Sequence, residues 1–327
     1  MKTKPALEIA IATDSNYLIP TTVLLKSLFE NNQDILVTVN LLYLFSATKE
    51  QDVDFLYNYV VEHGHLCRKV GISDEQLGVV PECRHSKSTF LRLLLPEILS
   101  EIPYILYLDG DIIIPGSISY FCSLDMSNYY IAGVKESTNF HMKEYCQKLG
   151  LTDDAFYFNA GVVFMNLDLM RKEQMTAQFF DYLKTNADIL IDNDQGILNG
   201  VLWRKVKYMP PKYNRNYMLE PDVTRALYTK AELNEAKRQP AIIHYIGPIK
   251  PWNYLSYHPK TKLWWKYLKM TPFKDFQPKN KPLSNIPKKY CLKLVKTIDS
   301  SVTVSFKRKV GKLLPRGLKL MLKKWKQ

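Results

Sequence analysis

At 327 residues the chain is long enough for one large domain with a substantial core, and 46% hydrophobic with 24% charged residues is an ordinary globular composition. The formal charge of +13 is unevenly placed: residues 279–327 hold fifteen Lys or Arg against one acid, Asp299, so this tail carries +14 and the preceding 278 residues together carry −1. A near-neutral body offers no basic stripe for nucleic acid, five cysteines without a CxxC pair imply reduced thiols of a cytosolic protein rather than a disulfide framework, and no apolar run reaches the ~20 residues of a spanning helix.

In chain order, short β-rich runs alternate with helical periodicity, the pattern of a mainly parallel sheet covered by helices on both faces. Glu8 interrupts the N-terminus before a signal-like run can develop. Residues 7–12 predict a first strand and 20–32 a helix, with Val23, Leu24, Ser27 and Leu28 inward. Residues 35–44 predict a second strand; Thr48, with Gln51 three residues on, then has the spacing of a capping box opening a helix. A strand at 68–72 and a helix at 88–99 follow. Residues 104–108 are almost wholly apolar, as expected of a central strand buried on both faces. Further strands are expected at 129–134 and 158–165, helices at 167–186 and from Asp194, and a polar segment at 137–157 reads as mobile or substrate-covering. The globular part is expected to end near Pro272, because Pro272, Pro278, Pro282 and Pro287 punctuate a Lys-rich linker. That gives a body of 1–272 and a tail of 273–327.

Two features carry chemistry. Asp109-Gly110-Asp111 closes the central strand, where open α/β folds bind ligands. One intervening residue lets both carboxylates reach one divalent ion as hard oxygen ligands, with phosphates completing its shell. Taken alone, the pair reads equally well as solvated or helix-capping acids. His244, at the end of the apolar run Ala241-Ile-Ile, adds an imidazole, which suits Mn²⁺ better than Mg²⁺. Gly247 and Lys250 follow at once, giving a turn that can approach phosphate closely and an ammonium to neutralise it. Trp252 by itself reads as packing.

The chain resembles the retaining glycosyltransferases of family 8 over residues 9–252. The motifs that carry the likeness are Ala12-Thr-Asp14-Ser-Asn16-Tyr17, Tyr107-Leu-Asp109-Gly110-Asp111, Phe158-Asn159-Ala160-Gly161, Asp194-Gln195-Gly196-Ile-Leu-Asn199-Gly200 and the run 244–252. The resemblance implies a GT-A fold, a Rossmann-like mixed sheet flanked by helices, together with a UDP-sugar donor and Mn²⁺, Mg²⁺ being the alternative. Position by position, it implies uridine and ribose contacts from Ala12, Asp14 and Asn16, and a diphosphate and sugar contact from Arg92. It implies metal ligation by Asp109, Asp111 and His244, with Gly110 between them on the donor side, and a diphosphate clamp from Gly247 and Lys250. Asn159, Asp194 and Gln195 take the sugar side, so Gln195, Asp194 and Lys250 are the expected catalytic set. Glutamine is a poor nucleophile, which favours front-side substitution with retention. The family often places a third acid where this chain has Gly196. Glu136 falls near a position that touches the acceptor, and reads equally well as a solvated acid after a strand.

The expected reaction is transfer of glucose or galactose to a glycolipid or polysaccharide acceptor, as in lipopolysaccharide or surface-glycan synthesis. His63, His65 and Cys67 alternate as zinc ligands do, but no second cluster completes four. The tail interleaves Leu, Val, Phe and Trp with cations, as interfacial segments on anionic lipid do. It implies a cytoplasmic enzyme held peripherally at the inner face of the cytoplasmic membrane. Two other classes stay open: a phosphatase of the haloacid-dehalogenase type, against which stand the late DxD and Ile113, and a catalytically silent nucleotide-sugar binder.

Overall fold

The computed structural model describes residues 4–81, 87–136, 140–216, 227–256 and 258–279. The chain divides into two compact units, residues 1–246 with 266–274, and residues 247–265 with 275–327. The first unit is built on β1 (Ala6–Ala12), β2 (Leu36–Leu44), β3 (Leu66–Ile72), β4 (Tyr104–Leu108), β5 (Ile112–Ile113), β6 (Ile131–Lys135), β7 (Phe158–Asn166), β8 (Val206–Tyr208) and β9 (Ile243–His244). Seven of them form one sheet in the order β3-β2-β1-β4-β7-β6-β8, and β5 pairs with β9 in a second. β1, β2, β3 and β4 are mutually parallel, β7 runs antiparallel to both β4 and β6, and β8 is parallel to β6. The sheet is therefore mixed, as the family resemblance implies, and mainly parallel, as the alternation of strands and helices predicts, with β7 alone reversed.

The central strands bury both faces. Ile9, Ile11, Leu106 and Leu108 join one core cluster with Leu24, Leu25 and Leu28 of helix Leu18–Asn31 and Val53 and Leu56 of helix Glu50–Glu62. Their strand neighbours Ala10, Ile105 and Tyr107 point the other way, as the two-residue period of a strand requires. They join Phe90, Phe179 of helix Met175–Asn186, and Ile197 and Leu198 of helix Asp194–Leu202. Each Ile or Leu so buried stabilises the fold by about 2 kcal/mol. Helices on both faces leave the ends of the strands as the place where polar side chains can gather, and β4 ends immediately before Asp109.

Several local expectations are corrected. No capping box forms at Thr48: helix Glu50–Glu62 has Lys49 as its N-cap with no side-chain bond, and Glu50 and Asp52 oppose the helix dipole in its first turn instead. The helix expected at 88–99 is a 3₁₀ run, Lys87–Leu94, followed by the single α-turn Leu95–Ile98. Pro96 near the start of that turn has no N–H to extend an α-helix backwards. The helix expected at 167–186 is two, Leu167–Lys172 and Met175–Asn186, divided where Gln174 takes φ 54°. Within the polar stretch read as a covering segment lies the helix Phe140–Lys148, while residues 137–139 are outside the described residues. The amphipathic character proposed for the tail falls on residues that, beyond 279, are likewise outside them.

Candidate active site

β4 delivers Asp109 and Asp111 to the end of the sheet, and β9, paired with β5 so that Ile112 faces His244, brings the imidazole to the same place. His244 Nε2 lies 3.2 Å from Asp111 Oδ1 and 3.7 Å from Asp109 Oδ2. One ligand atom from each of the three residues falls within 4.8 Å of the others, the one such group among the described residues. Gly161 makes the convergence sterically allowed, because a Cβ there would stand 2.2 Å from His244 Cε1 and 2.6 Å from Asp109 Oδ2. Two carboxylates and one imidazole at this spacing fit a divalent cation of the Mn²⁺ or Mg²⁺ type. The alternating His63, His65 and Cys67 make no such group. His63 Nδ1 bonds the Tyr59 carbonyl oxygen, and His65 accepts from the Val37 N–H while stacking on Phe29.

Arg92 is the hub of the next layer. Its guanidinium donates to Asp109 Oδ1 at 2.7 Å and to the Ala160 carbonyl at 2.6 Å, meets Asp194 Oδ2 at 3.0 Å, and lies 4.1 Å from the centre of the Tyr107 ring. Burial works against its charge, but Asp109 and Asp194 outweigh that and raise its pKa further. The arginine is thus a fixed positive charge locked between two carboxylates. Asp194 is itself buried in the first turn of its helix, and that burial pushes its carboxyl up to about 6 although Arg92 pulls it down. Removing Arg92 would leave two acids uncompensated, a change that costs about 3–5 kcal/mol in buried pairs.

Asn159 and Gln195 form the opposite wall. Gln195 Oε1 accepts the Ala160 N–H at 2.9 Å, and its Nε2 donates to Glu136 Oε2 at 3.0 Å and Asp192 Oδ2 at 3.2 Å. Asn159 Nδ2 reaches the same Glu136 oxygen at 3.2 Å. Glu136 is therefore not the solvated acid that sequence allowed. Burial raises its pKa, and the two amides work to hold it ionised. Asp192, also bonded by the hydroxyls of Tyr145 and Tyr157, went unnoticed in the sequence. So did Asn214, whose Oδ1 is 3.1 Å from His244 Nδ1; its only signal is a polar residue closing the Pro-rich turn Pro211–Asn214.

β1 pairs with β4 so that Ile11 lies beside Leu108, which puts Ala12 next to Asp109 at the sheet edge. Asp14 caps the turn Ser15–Tyr17, its Oδ1 accepting the N–H groups of Asn16 and Tyr17, and Asn16 is exposed. The Tyr17 ring packs on Gly110, where a Cβ would come within 2.7 Å of it. Burial raises the Tyr17 pKa, and so do Asp111, Asp109 and Asp14. Gly247 and Lys250 belong to the second unit. There Gly247 takes φ +88°, the left-handed conformation that favours glycine. The Lys250 N–H donates to Asn253 Oδ1 at 2.7 Å, and Trp252 lies 5.4 Å from Trp264.

The family profile of Glycosyl transferase family 8 matches residues 8–256. The chain belongs to glycosyl transferase family 8. The chain is similar to a lipopolysaccharide 1,2-glucosyltransferase of Escherichia coli K12, 26% identical over 302 residues that cover 89% of this chain and 86% of that one. General stress protein A of Bacillus subtilis is 27% identical over 192 residues, 57% of this chain, and the match spans 66% of its own length. The fold is that of galactosyltransferase LgtC, solved in complex with donor and acceptor sugar analogs, with a TM-score of 0.70, 22% identity, and coverage of 86% of this chain and 100% of that one. The glycosyltransferase GlyE of Streptococcus pneumoniae has the same fold at a TM-score of 0.60, with 22% identity and 81% and 61% coverage. Membership of the family makes the chain a glycosyltransferase, and the Asp109, Asp111 and His244 group its candidate metal site.

Proposed function

We propose that this family 8 member is a metal-dependent, retaining hexosyltransferase that moves glucose or galactose from a UDP-sugar to a glycolipid or polysaccharide acceptor of a surface glycan. The observation that carries the reading is the placement of Asp109, Asp111 and His244 beside the buried Arg92–Asp194 pair at one end of the sheet. The E. coli lipopolysaccharide glucosyltransferases support a lipopolysaccharide-type acceptor, and the donor and acceptor analogs bound to LgtC support a two-sugar cleft.

In this reading Ala12, Asp14 and Asn16 hold the nucleoside, Arg92 lies by the diphosphate and sugar, and Asp194 and Asn159 fix the donor hydroxyls. Gly247 and Lys250 take the diphosphate, and the ammonium stabilises charge that grows there as the glycosidic bond breaks. A divalent cation, when bound, supplies further positive charge to the departing diphosphate. Gln195 keeps its one nucleophilic atom, Oε1, on the Ala160 N–H. That favours front-side substitution, in which the acceptor hydroxyl adds to the anomeric carbon as UDP leaves and its proton passes to a leaving-group oxygen. The basic tail, +14 over residues 279–327, would hold the enzyme on the anionic inner face of the cytoplasmic membrane, where a lipid-linked acceptor is presented.

The test is UDP release from a panel of nucleotide sugars by the purified chain, with Mn²⁺ and with chelator. Mn²⁺-dependent hydrolysis of UDP-glucose or UDP-galactose is the expected result and names the sugar. Silence across the panel, with no metal-dependent UDP binding, would overturn the reading.

A further inference from the structure

The polarity of one chain of side-chain amides can be read from a single fixed donor. The backbone N–H of Gly161 can only donate, and it points at Asn159 Oδ1 at 3.0 Å. The Asn159 oxygen is thereby identified, and its Nδ2 faces the Glu136 carboxylate, as an amide nitrogen should. Asn214 approaches that same Asn159 oxygen at 2.8 Å, so the approaching atom must be its Nδ2. The other end of the Asn214 amide, Oδ1, then faces His244 Nδ1 at 3.1 Å. An amide oxygen is only an acceptor, so Nδ1 must carry a proton. In a neutral imidazole that leaves Nε2 with its lone pair, and Nε2 is the atom turned toward Asp111 and Asp109.

The backbone holds this arrangement stiffly. The Arg215 N–H donates to the Ile242 carbonyl at 2.9 Å, and the His244 N–H donates to the Arg215 carbonyl at 3.1 Å. The residues following Asn214 and preceding His244 are thus clamped to each other. Both side chains are buried, Asn214 at 4% and His244 at 4% exposure.

We infer that Asn214 is a positioning residue for the metal site: it accepts the Nδ1–H of His244 and so fixes the tautomer and ring plane that present Nε2 to a divalent cation. Outer partners of this kind are typically worth 10–100-fold in metal affinity. The inference rests on the reading of Asp109, Asp111 and His244 as metal ligands.

The experiment measures Mn²⁺ binding to the full chain, with the metal alone, by electron paramagnetic resonance of free Mn²⁺, and compares wild type with Asn214→Leu and Asn214→Asp. Leucine keeps the volume but accepts no hydrogen bond, and should weaken binding by about 10–100-fold. Aspartate still accepts from Nδ1–H but turns an oxygen on Asn159 Oδ1. It should therefore stay within about threefold of wild type if Asn214 acts through His244. In parallel, ¹⁵N NMR of the metal-free enzymes at alkaline pH, with the His244 signal assigned by its loss in His244→Gln, should show protonated Nδ1 in wild type and Asn214→Asp. Asn214→Leu should show a mixture of tautomers. Equal binding by wild type and Asn214→Leu overturns the inference, as does equal weakening by both substitutions, which would mean that Asn214 acts through Asn159. Failure of wild type itself to bind Mn²⁺ would instead sink the metal-site reading.

Discussion

Asp194 and Arg92 meet at 3.0 Å in a place nearly closed to water, with side chains 8% and 3% exposed. Burial lifts the Asp194 carboxyl to about 6, whereas an aspartate in the unfolded chain titrates near ~4. Between those values the folded state binds more protons than the unfolded state. The contribution of this group to stability therefore increases as the pH falls through the window, even as its ion pair is lost. Activity should go the other way. UDP release is expected to fall on the acid side with an apparent pKa near 6, and Asp194→Asn should remove that limb and lower the plateau. An acid limb of unchanged position in the Asn variant would contradict the assignment.

Substitution of Gly161 by Ala inserts a methyl group into the space shared by His244 and Asp109. Contacts of 2.2 and 2.6 Å cannot be tolerated, so one of the two must move. Affinity for Mn²⁺ should fall by at least about 100-fold, beyond what loss of an outer hydrogen bond gives. Titration calorimetry with the metal alone tests this, and binding within a few-fold of wild type would refute it.

Asp111→Ala removes the carboxylate 3.2 Å from His244 Nε2. Metal-dependent UDP release should drop by three orders of magnitude or more, roughly what loss of the main electrostatic support of a leaving group costs. Far-ultraviolet circular dichroism should stay native. Near-normal turnover would remove Asp111 from the metal site.

On the proposed reading the membrane contact lies in the tail, where the positive charge is concentrated. A chain ending at Lys281 should release UDP as the full chain does, while losing sedimentation with vesicles of anionic phospholipid. Added salt should release the full chain from the same vesicles, because surface attraction of this kind is screened within about 10 Å at 0.1 M ionic strength. Vesicle binding that survives the truncation would assign the contact to the body.

The central strands were legible because their apolar runs are nearly unbroken, as in Tyr104–Leu108, which coincides with the expected span, whereas the short strands Ile112–Ile113 and Val206–Tyr208 offer too few residues for a period to show. Helix boundaries were less so. The left-handed turn at Gln174 and the 3₁₀ geometry of Lys87–Leu94 depend on tertiary packing that no local pattern encodes. In the site, Asp109, Asp111 and His244 could be picked out because an Asp-Gly-Asp closing an apolar strand and a histidine followed at once by Gly247 and Lys250 occur together in one chain and match the family motifs. Asn214 and Asp192 could not, since an asparagine after a turn and an aspartate before a helix are ordinary in themselves. Their significance is the distance to a partner 30 residues away in the case of His244 and 47 in that of Tyr145, and only the fold sets such distances.

β7 runs against β4, so Asn159 enters the cleft at the beginning of its strand while Asp109 arrives at the end of its own. The two walls are consequently fed by segments far apart in sequence, yet they are joined: the Asp109 N–H donates to the Gly161 carbonyl, and Asn159 holds Asn214 against His244. An insertion ahead of Phe158 that shifted Asn159 would loosen its bond to Glu136 and, through Asn214, disturb the imidazole of His244 as well. A change of length on the sugar side of such a scaffold is therefore felt on the metal side.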